Sequence, residues 1–273
     1  MIMSQRLHFV LCFLALLALA GCAGTKDAAD AVEKQEPVEK MYNKGAAKLD
    51  AGRYNEAAKE FDAVEQNYPY SQWATRAQLM AGYAAYKDLK YDESLLALER
   101  FIELHPGDDS IAYAYYLKAL CYYEQISDVR RDQKITELAL DSLRQVRTRF
   151  PGSQYAKDVS LKIDLTLDHL AGKEMEIGRY YLERKQYQAA INRFERVVEQ
   201  YQTTTHVPEA LHRMTEAYLS LGVIDEARKT AAILGHNYPQ SSWYKDAYRL
   251  VGDPSAPPPK DSVYDKTIGK IFN

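Results

Sequence analysis

The residue types that carry catalysis or hold metals are present in this chain, but not at spacings that would let them act together. Six histidines stand at positions 8, 105, 169, 206, 212 and 236. Only His206 and His212 are near neighbours, and six residues apart on a helix puts them on opposite faces. No HExxH, CxxC, GxGxxG, P-loop or GxSxG pattern occurs, so no catalytic residue, metal ligand or cofactor is assigned. Asp108-Asp109 reads as a helix-opening pair. Of three cysteines, Cys12 lies in an apolar leader, Cys22 ends that leader, and Cys121 sits alone in an apolar helical segment as a small buried hydrophobe. Tyrosine is what the chain has in quantity, 22 residues against 7 phenylalanines. A tyrosine joins a rigid apolar face to a polar tip, which suits recognition. With 35 basic and 38 acidic side chains, there is no basic excess for nucleic acid to use.

The N-terminus fixes a compartment. Arg6 is followed by an almost unbroken apolar run from Phe9 to Ala20. Residues 1–21 read as a signal peptide, too short in its apolar part to remain as a membrane span. Leu19-Ala20-Gly21-Cys22 resembles a bacterial lipobox. That resemblance implies that Cys22 is acylated and becomes the mature N-terminus, each buried CH₂ contributing roughly 0.8 kcal/mol of anchoring. Ala23, rather than Asp, implies sorting to the outer membrane, on its periplasmic face. Residues 22–36 are small and charged without aromatics, a flexible tether with a reach on the order of 20 Å.

The elements that must position the tyrosines come from a repeat. Tyr54, Ala57, Phe61 and Pro69 recur as Tyr91, Ser94, Leu98 and Pro106, then as Thr136, Ala139, Leu143 and Pro151. Two more copies run Tyr187, Ala190, Phe194, Gln202 and Ile224, Ala227, Ala231, Pro239. A small residue lies upstream in each: Gly45, Gly82, Ala119, Gly178 and Thr215. The order matches the tetratricopeptide (TPR) consensus, in which a small residue lets two helices cross closely and proline stops the second. The expected fold is therefore all-α: an α-solenoid of five TPR helix-turn-helix repeats over 37–250, with a Pro-rich, disordered tail at 251–273. Ser71, Asp108, Ser153, Thr204 and Ser241 are placed to cap the following helices. Two insertions interrupt the period. Ser127 to Lys134 predicts an exposed loop. The second predicts a long helix from about Ser153 to Ala171, broken at Gly172, joining repeats one to three with repeats four and five.

First helices line the concave side of a TPR solenoid. That register gives Tyr42 from repeat one, Arg76, Leu79, Tyr83, Tyr86 and Lys87 from repeat two, and Tyr113, Tyr116 and Tyr123 from repeat three. A short peptide with aromatic side chains and a free C-terminus suits such a groove, because Arg76 and Lys87 offer cations to its carboxylate. Repeats four and five alternate charges instead (Arg179, Glu183, Glu209, Glu216), which favours docking of a folded polar surface. On the fourth repeat, Arg193 and Arg196 read as separate cations for that purpose.

Leader, repeats and middle helix together resemble the BamD (ComL) family of outer-membrane lipoproteins. The most specific pieces are Tyr68-Pro69, Tyr83-Ala84-Ala85-Tyr86-Lys87, Arg100 to Pro106, Phe150-Pro151-Gly152-Ser153-Gln154-Tyr155 and Asn192-Arg193. The resemblance implies a non-enzymatic scaffold in β-barrel assembly. Its first repeats would receive C-terminal signals of unfolded outer-membrane proteins. Its later repeats, with Arg193 as a contact, would dock a barrel-inserting outer-membrane subunit that has periplasmic repeat domains; accessory lipoproteins would join them. Gln202, in place of proline, and the Pro-rich tail depart from the family pattern. The competing reading is a periplasmic TPR lipoprotein that regulates cell-wall synthesis or envelope constriction. It would carry a trimerisation segment before the repeats, and none is seen. A fused wall hydrolase would need a catalytic domain, for which no segment outside the repeats is long enough.

Overall fold

The computed structural model describes residues 36–252. The leader, Cys22, the tether to residue 35 and the tail from residue 253 lie outside the described residues. Within them the chain forms eleven helices and no strand. The first six are α1 (Val38–Asp50), α2 (Tyr54–Asn67), α3 (Gln72–Lys87), α4 (Tyr91–Leu104), α5 (Ile111–Tyr123) and α6 (Lys134–Arg149). The remainder are α7 (Ala156–Glu183), α8 (Tyr187–Gln200), α9 (Val207–Ser220), α10 (Ile224–Asn237) and α11 (Ser242–Val251). Repeats one to three are α1–α2, α3–α4 and α5–α6. Repeat four pairs the second half of α7 with α8, repeat five is α9–α10, and α11 packs against α9 and α10.

Each of the first four repeats is held by a small residue facing a large one. A methyl group at Gly45 would lie 2.7 Å from Phe61, and one at Gly82 would lie 3.0 Å from Leu98. At Gly178 the Phe194 ring is closer still. Phe61, Leu98, Leu143 and Phe194 are all fully buried. In repeat five the sizes are exchanged, with Thr215 and Ala231 both buried at the corresponding positions.

The turns inside four of the five repeats share one geometry. Gly52, Leu89, Lys185 and Gly222 all have φ between 60° and 77°. The next residue's N–H then reaches back five residues, Arg53 to Lys48 O and Lys90 to Ala85 O, and likewise Gln186 to Tyr181 O and Val223 to Tyr218 O. This is the Schellman closure, which satisfies carbonyls the helix leaves open. Glycine supplies the left-handed conformation twice; Leu89 and Lys185 adopt it at some cost. Between repeats, Tyr68, His105, Phe150, Tyr201 and Tyr238 each end a second helix and accept from the N–H three residues on. Tyr201 does so without a following proline, so Gln202 leaves the turn unchanged.

Capping follows the sequence expectation in part. Ser71 Oγ accepts from Ala74 N–H at 3.0 Å, and Ser241 Oγ accepts from Trp243 N–H at 3.2 Å. Asp108 closes a turn onto Ser110 N–H, before the helix. Thr204 Oγ1 donates to Tyr201 O, and Ser153 Oγ is buried without a partner.

The long helix corrects one expectation. α7 runs unbroken through Gly172 for 28 residues. Gly172 costs roughly 1 kcal/mol against alanine in a helix, a cost met by the burial of Leu170, Ala171 and Met175 around it. Ser127 to Lys134 is largely exposed and non-helical up to residue 133, as expected, and this loop is also fastened to the long helix. Lys173 Nζ donates to the carbonyls of Arg130 and Arg131, and Arg130 pairs with Glu176 at 3.2 Å.

Two alanine substitutions separate crossing from hinge. Gly178→Ala should lower stability by about 1–3 kcal/mol, because Phe194 cannot be accommodated. Gly172→Ala, whose methyl would lie 3.4 Å from His206, should preserve or raise stability by up to about 1 kcal/mol. Urea midpoints of the two variants check both.

Candidate recognition groove and docking face

The tyrosines assigned from sequence are half-buried and associate in clusters. At the N-terminal end Tyr42 packs on Phe61 and Trp73, with ring centroids 5.3 and 4.9 Å away, and Arg76 lies 5.8 Å over Trp73. Burial raises the Tyr42 hydroxyl above its ordinary pKa, against the pull of the Arg76 charge. At the other end of α3, Tyr86 meets Tyr91 at 6.0 Å, and Lys87 sits 5.7 Å over Tyr54. Burial, then the charge of Glu124, pushes Tyr86 up to about 12. Arg76 and Lys87 are exposed, so their charges remain available to a ligand. Leu79 differs from the rest: it is 7% exposed and packs with Leu98, Phe101 and Leu117, behind the surface it was expected to line.

The third cluster crosses from repeat three to the start of α7. Tyr83 faces Tyr113 at 6.4 Å, Tyr113 faces Tyr155 at 5.7 Å, and Tyr155 stacks on Tyr116 at 4.6 Å and 16°. The Tyr116 hydroxyl donates to Asp158 Oδ2 at 2.8 Å, and Lys162 adds a second bond to that carboxylate at 3.0 Å. Lys162 also lies 5.2 Å over Tyr123. Burial opposes ionisation of Asp158, but the bonds from Tyr116 and Lys162 outweigh it and hold the carboxyl below its usual range. Burial and then Asp158 push the Tyr116 hydroxyl up. Tyr155, Asp158 and Lys162 were not assigned from sequence. The only available signal was Tyr155 closing the Phe150 to Tyr155 junction.

In repeats four and five the charges are largely consumed internally. Arg179 Nη1 donates to both carboxylate oxygens of Glu209, at 2.9 Å each. Arg213 bonds Glu216 at 2.8 Å, and His212, 4% exposed, reaches Glu216 at 3.4 Å beneath Trp243. Arg193 and Arg196, expected as separate cations, converge on one carboxylate. Arg193 donates to Glu174 at 3.0 Å and Arg196 lies 3.6 Å from it. The Glu174 side chain is 15% exposed, whereas Arg196 is 52% exposed. Two guanidinium groups on one acid leave a positive patch where α8 meets the spine, carried outward mainly by Arg196.

Among the described residues, no group of acids, histidines or cysteines is placed to hold a metal, and no helix is long and apolar enough to cross a membrane. Burial pushes the Cys121 thiol up to about 11, so it stays protonated in the core. What the fold presents is aromatic clefts in one half and an ion-paired helical face in the other, the surfaces of a TPR-type repeat solenoid. Residues 34–234 match the family model described as YfiO, outer membrane lipoprotein. A protein of Caulobacter vibrioides named outer membrane protein assembly factor BamD is 50% identical over 246 residues, 89% of this chain and 81% of that one. Its namesake in Rickettsia prowazekii is 52% identical, covering 79% of this chain and 86% of its own length. The chain belongs to the BamD family of outer membrane protein assembly factors. Among solved structures, a thermophilic TPR protein of Thermus thermophilus is a distant match: TM-score 0.37, 18% identity, 78% of this chain and 98% of that one.

Tyr116→Phe tests the bond that ties repeat three to the spine. Loss of a hydrogen bond to a half-exposed carboxylate should cost about 1 kcal/mol at pH 7. Because Tyr116 lowers the Asp158 pKa in the folded state, its contribution is present above the ordinary carboxylate pKa. It is lost as pH falls through the depressed value. Urea titrations from pH 7 to pH 3 should show the two proteins converging at the acid end.

Proposed function

We propose that this protein is a non-enzymatic scaffold of the outer-membrane β-barrel assembly complex, held at the periplasmic face of the outer membrane by acylated Cys22. The reading is carried by the 50% identity with a BamD over 89% of the chain. Within it, repeats one to three receive the C-terminal segment of unfolded outer-membrane proteins. An aromatic last residue would enter between the tyrosine clusters, and its free carboxylate would meet Arg76 or Lys87. Both cations are exposed and lie over aromatic rings at 5.8 and 5.7 Å, which pre-orients them without neutralising them. Repeats four and five, through Arg196 and the Arg193–Glu174 pair, dock a periplasmic domain of the barrel-inserting subunit. Accessory lipoproteins complete the assembly.

The groove is tested with a decapeptide ending in phenylalanine, as the free acid and as the amide. The acid should bind more tightly, and Arg76→Ala and Tyr83→Ala should each weaken it roughly tenfold, about 1.4 kcal/mol. Equal affinity for acid and amide would remove the carboxylate from the reading. Docking is tested by co-purification of the tagged protein from detergent-solubilised membranes. Arg196→Glu should release a large barrel protein that carries periplasmic repeats. Arg193→Glu alone is ambiguous, because it sets two carboxylates against each other at Glu174. The exchange Arg193→Glu with Glu174→Arg restores the internal pair and should still release the partner.

A further inference from the structure

A second trough lies on the other side of α3, between the second helices of repeats one and two. Ala81 and Ala85 of α3 form its floor, and Ala58 of α2 and Ala97 of α4 line its walls. In its central cleft, of about 250 Å³, Asp62 and Glu65 stand on one wall, with Glu93 and Arg100 on the other. Arg100 is ion-paired with Glu65. Asp62 and Glu93 have no hydrogen bond or ion pair among the described residues. Toward the Asn55 end, Lys90 is paired with Asp88 at 3.0 Å and Lys59 adds one cation. The central cleft therefore holds an acidic excess. Partial burial, then Glu65 and Glu93, raises the Asp62 carboxyl above its usual pKa despite Arg100.

An independent observation points to a ligand. Gln78 lines the same cleft, is 4% exposed, and its side-chain Nε2 has no hydrogen-bond partner. A buried amide donor left unpaired is costly, and a turn of the Gln78 amide toward the cleft would let a carbonyl delivered from outside satisfy it. Leu96 stands on the rim at 71% exposure, an apolar surface for the same visitor to cover. A cation, a backbone carbonyl and an apolar neighbour occur together in an extended polypeptide.

We propose that this cleft binds an extended lysine- or arginine-bearing segment of a partner protein. The basic side chain would sit between Asp62 and Glu93, a main-chain carbonyl would accept from Gln78, and an apolar residue would cover Leu96. Charge argues against this chain's own tether as the occupant. The described chain starts near the trough, where Tyr68 donates to Glu36 O at 2.6 Å beside Pro69 of the adjoining pocket. Yet the preceding residues set Lys26 and Lys34 against Asp27, Asp30 and Glu33, so they are themselves acidic. On α3 the trough takes Gln78, Ala81 and Ala85, while Arg76, Tyr83 and Lys87 belong to the aromatic side. Both sites can therefore be occupied at once, and this proposal does not rest on the groove reading above.

The test is fluorescence anisotropy of the full chain in detergent with a labelled, acetylated (Ala-Lys)₄ peptide, against (Ala-Glu)₄ as control. Saturable binding of the lysine peptide alone is expected. Asp62→Asn combined with Glu93→Gln should weaken it at least tenfold, and Gln78→Leu severalfold at unchanged helical content. Asp141→Asn, an exposed acid on α6, and Arg76→Ala should leave it unchanged. Absence of saturable binding overturns the proposal. So does full affinity in the double variant, or a loss in Asp141→Asn as large as in the double variant. Should Gln78→Leu fail to fold, the surface double variant still decides.

Discussion

At the helix crossings inside the first four repeats, a residue with little or no side chain meets one with a large side chain, and the solenoid depends on that exchange of volume. Gly45 against Phe61, Gly82 against Leu98 and Gly178 against Phe194 leave no room for an added methyl group. Close approach lets the partner ring or isobutyl group be fully buried, so each crossing becomes a local core at interior packing density. Because each repeat closes on its own crossing, stability accumulates along the chain as a series of neighbour contacts. Repeat five, with Thr215 and Ala231, is built differently, and α11 covers it with Ala247 and Tyr248. There Gly235 makes room for the Tyr244 ring: the small residue has moved to the second helix and the large one to the cap.

The unbroken spine is the second constraint. α7 belongs to repeat three at its start and to repeat four at its end, so anything bound at one end is tied mechanically to the other. Its first turns supply Asp158 and Lys162 to the tyrosine cluster, and its later turns supply Glu174 to Arg193 and Arg196. The 124–133 segment fastens to it midway through Lys173 and Glu176. A helix of this length resists bending unless proline, a bulge or an inserted group interrupts it, and α7 has none of these. The helix is continuous through Gly172, so the chain passes from repeat three to repeat four without leaving helical geometry.

The charges show why exposure has to be read in three dimensions. Arg193 is a free cation by sequence position and a structural one in the fold, since Glu174 lies nineteen positions earlier on another helix. Lys173, Arg179 and Arg213 are likewise engaged within the molecule. Arg76 and Lys87 on the aromatic side, Arg196 at the spine, and the acids Asp62 and Glu93 across α3 remain exposed. α3 thus presents opposite charge on two faces, a consequence of the 3.6-residue period acting on a helix that packs along two other edges.

Period and residue size in the sequence determined the repeat boundaries, the small-large crossings, the long middle helix and the family. These are local or near-local properties: a glycine sixteen positions before a phenylalanine meets it across one turn wherever the pair occurs. The sequence also placed the tyrosines of α3 and α5 on one side, because helical phase is set by spacing alone. Only the tertiary structure decided which tyrosines touch, that Tyr155 and Asp158 complete their cluster, that Leu79 turns inward, and that Gly172 is spanned. Each depends on the rotation between successive repeats, which is fixed by the packing of non-adjacent side chains and leaves no mark in the spacing. The same holds for Gln78. Its type is visible in the chain, but its buried, unpartnered amide exists only once α2 and α4 close over α3.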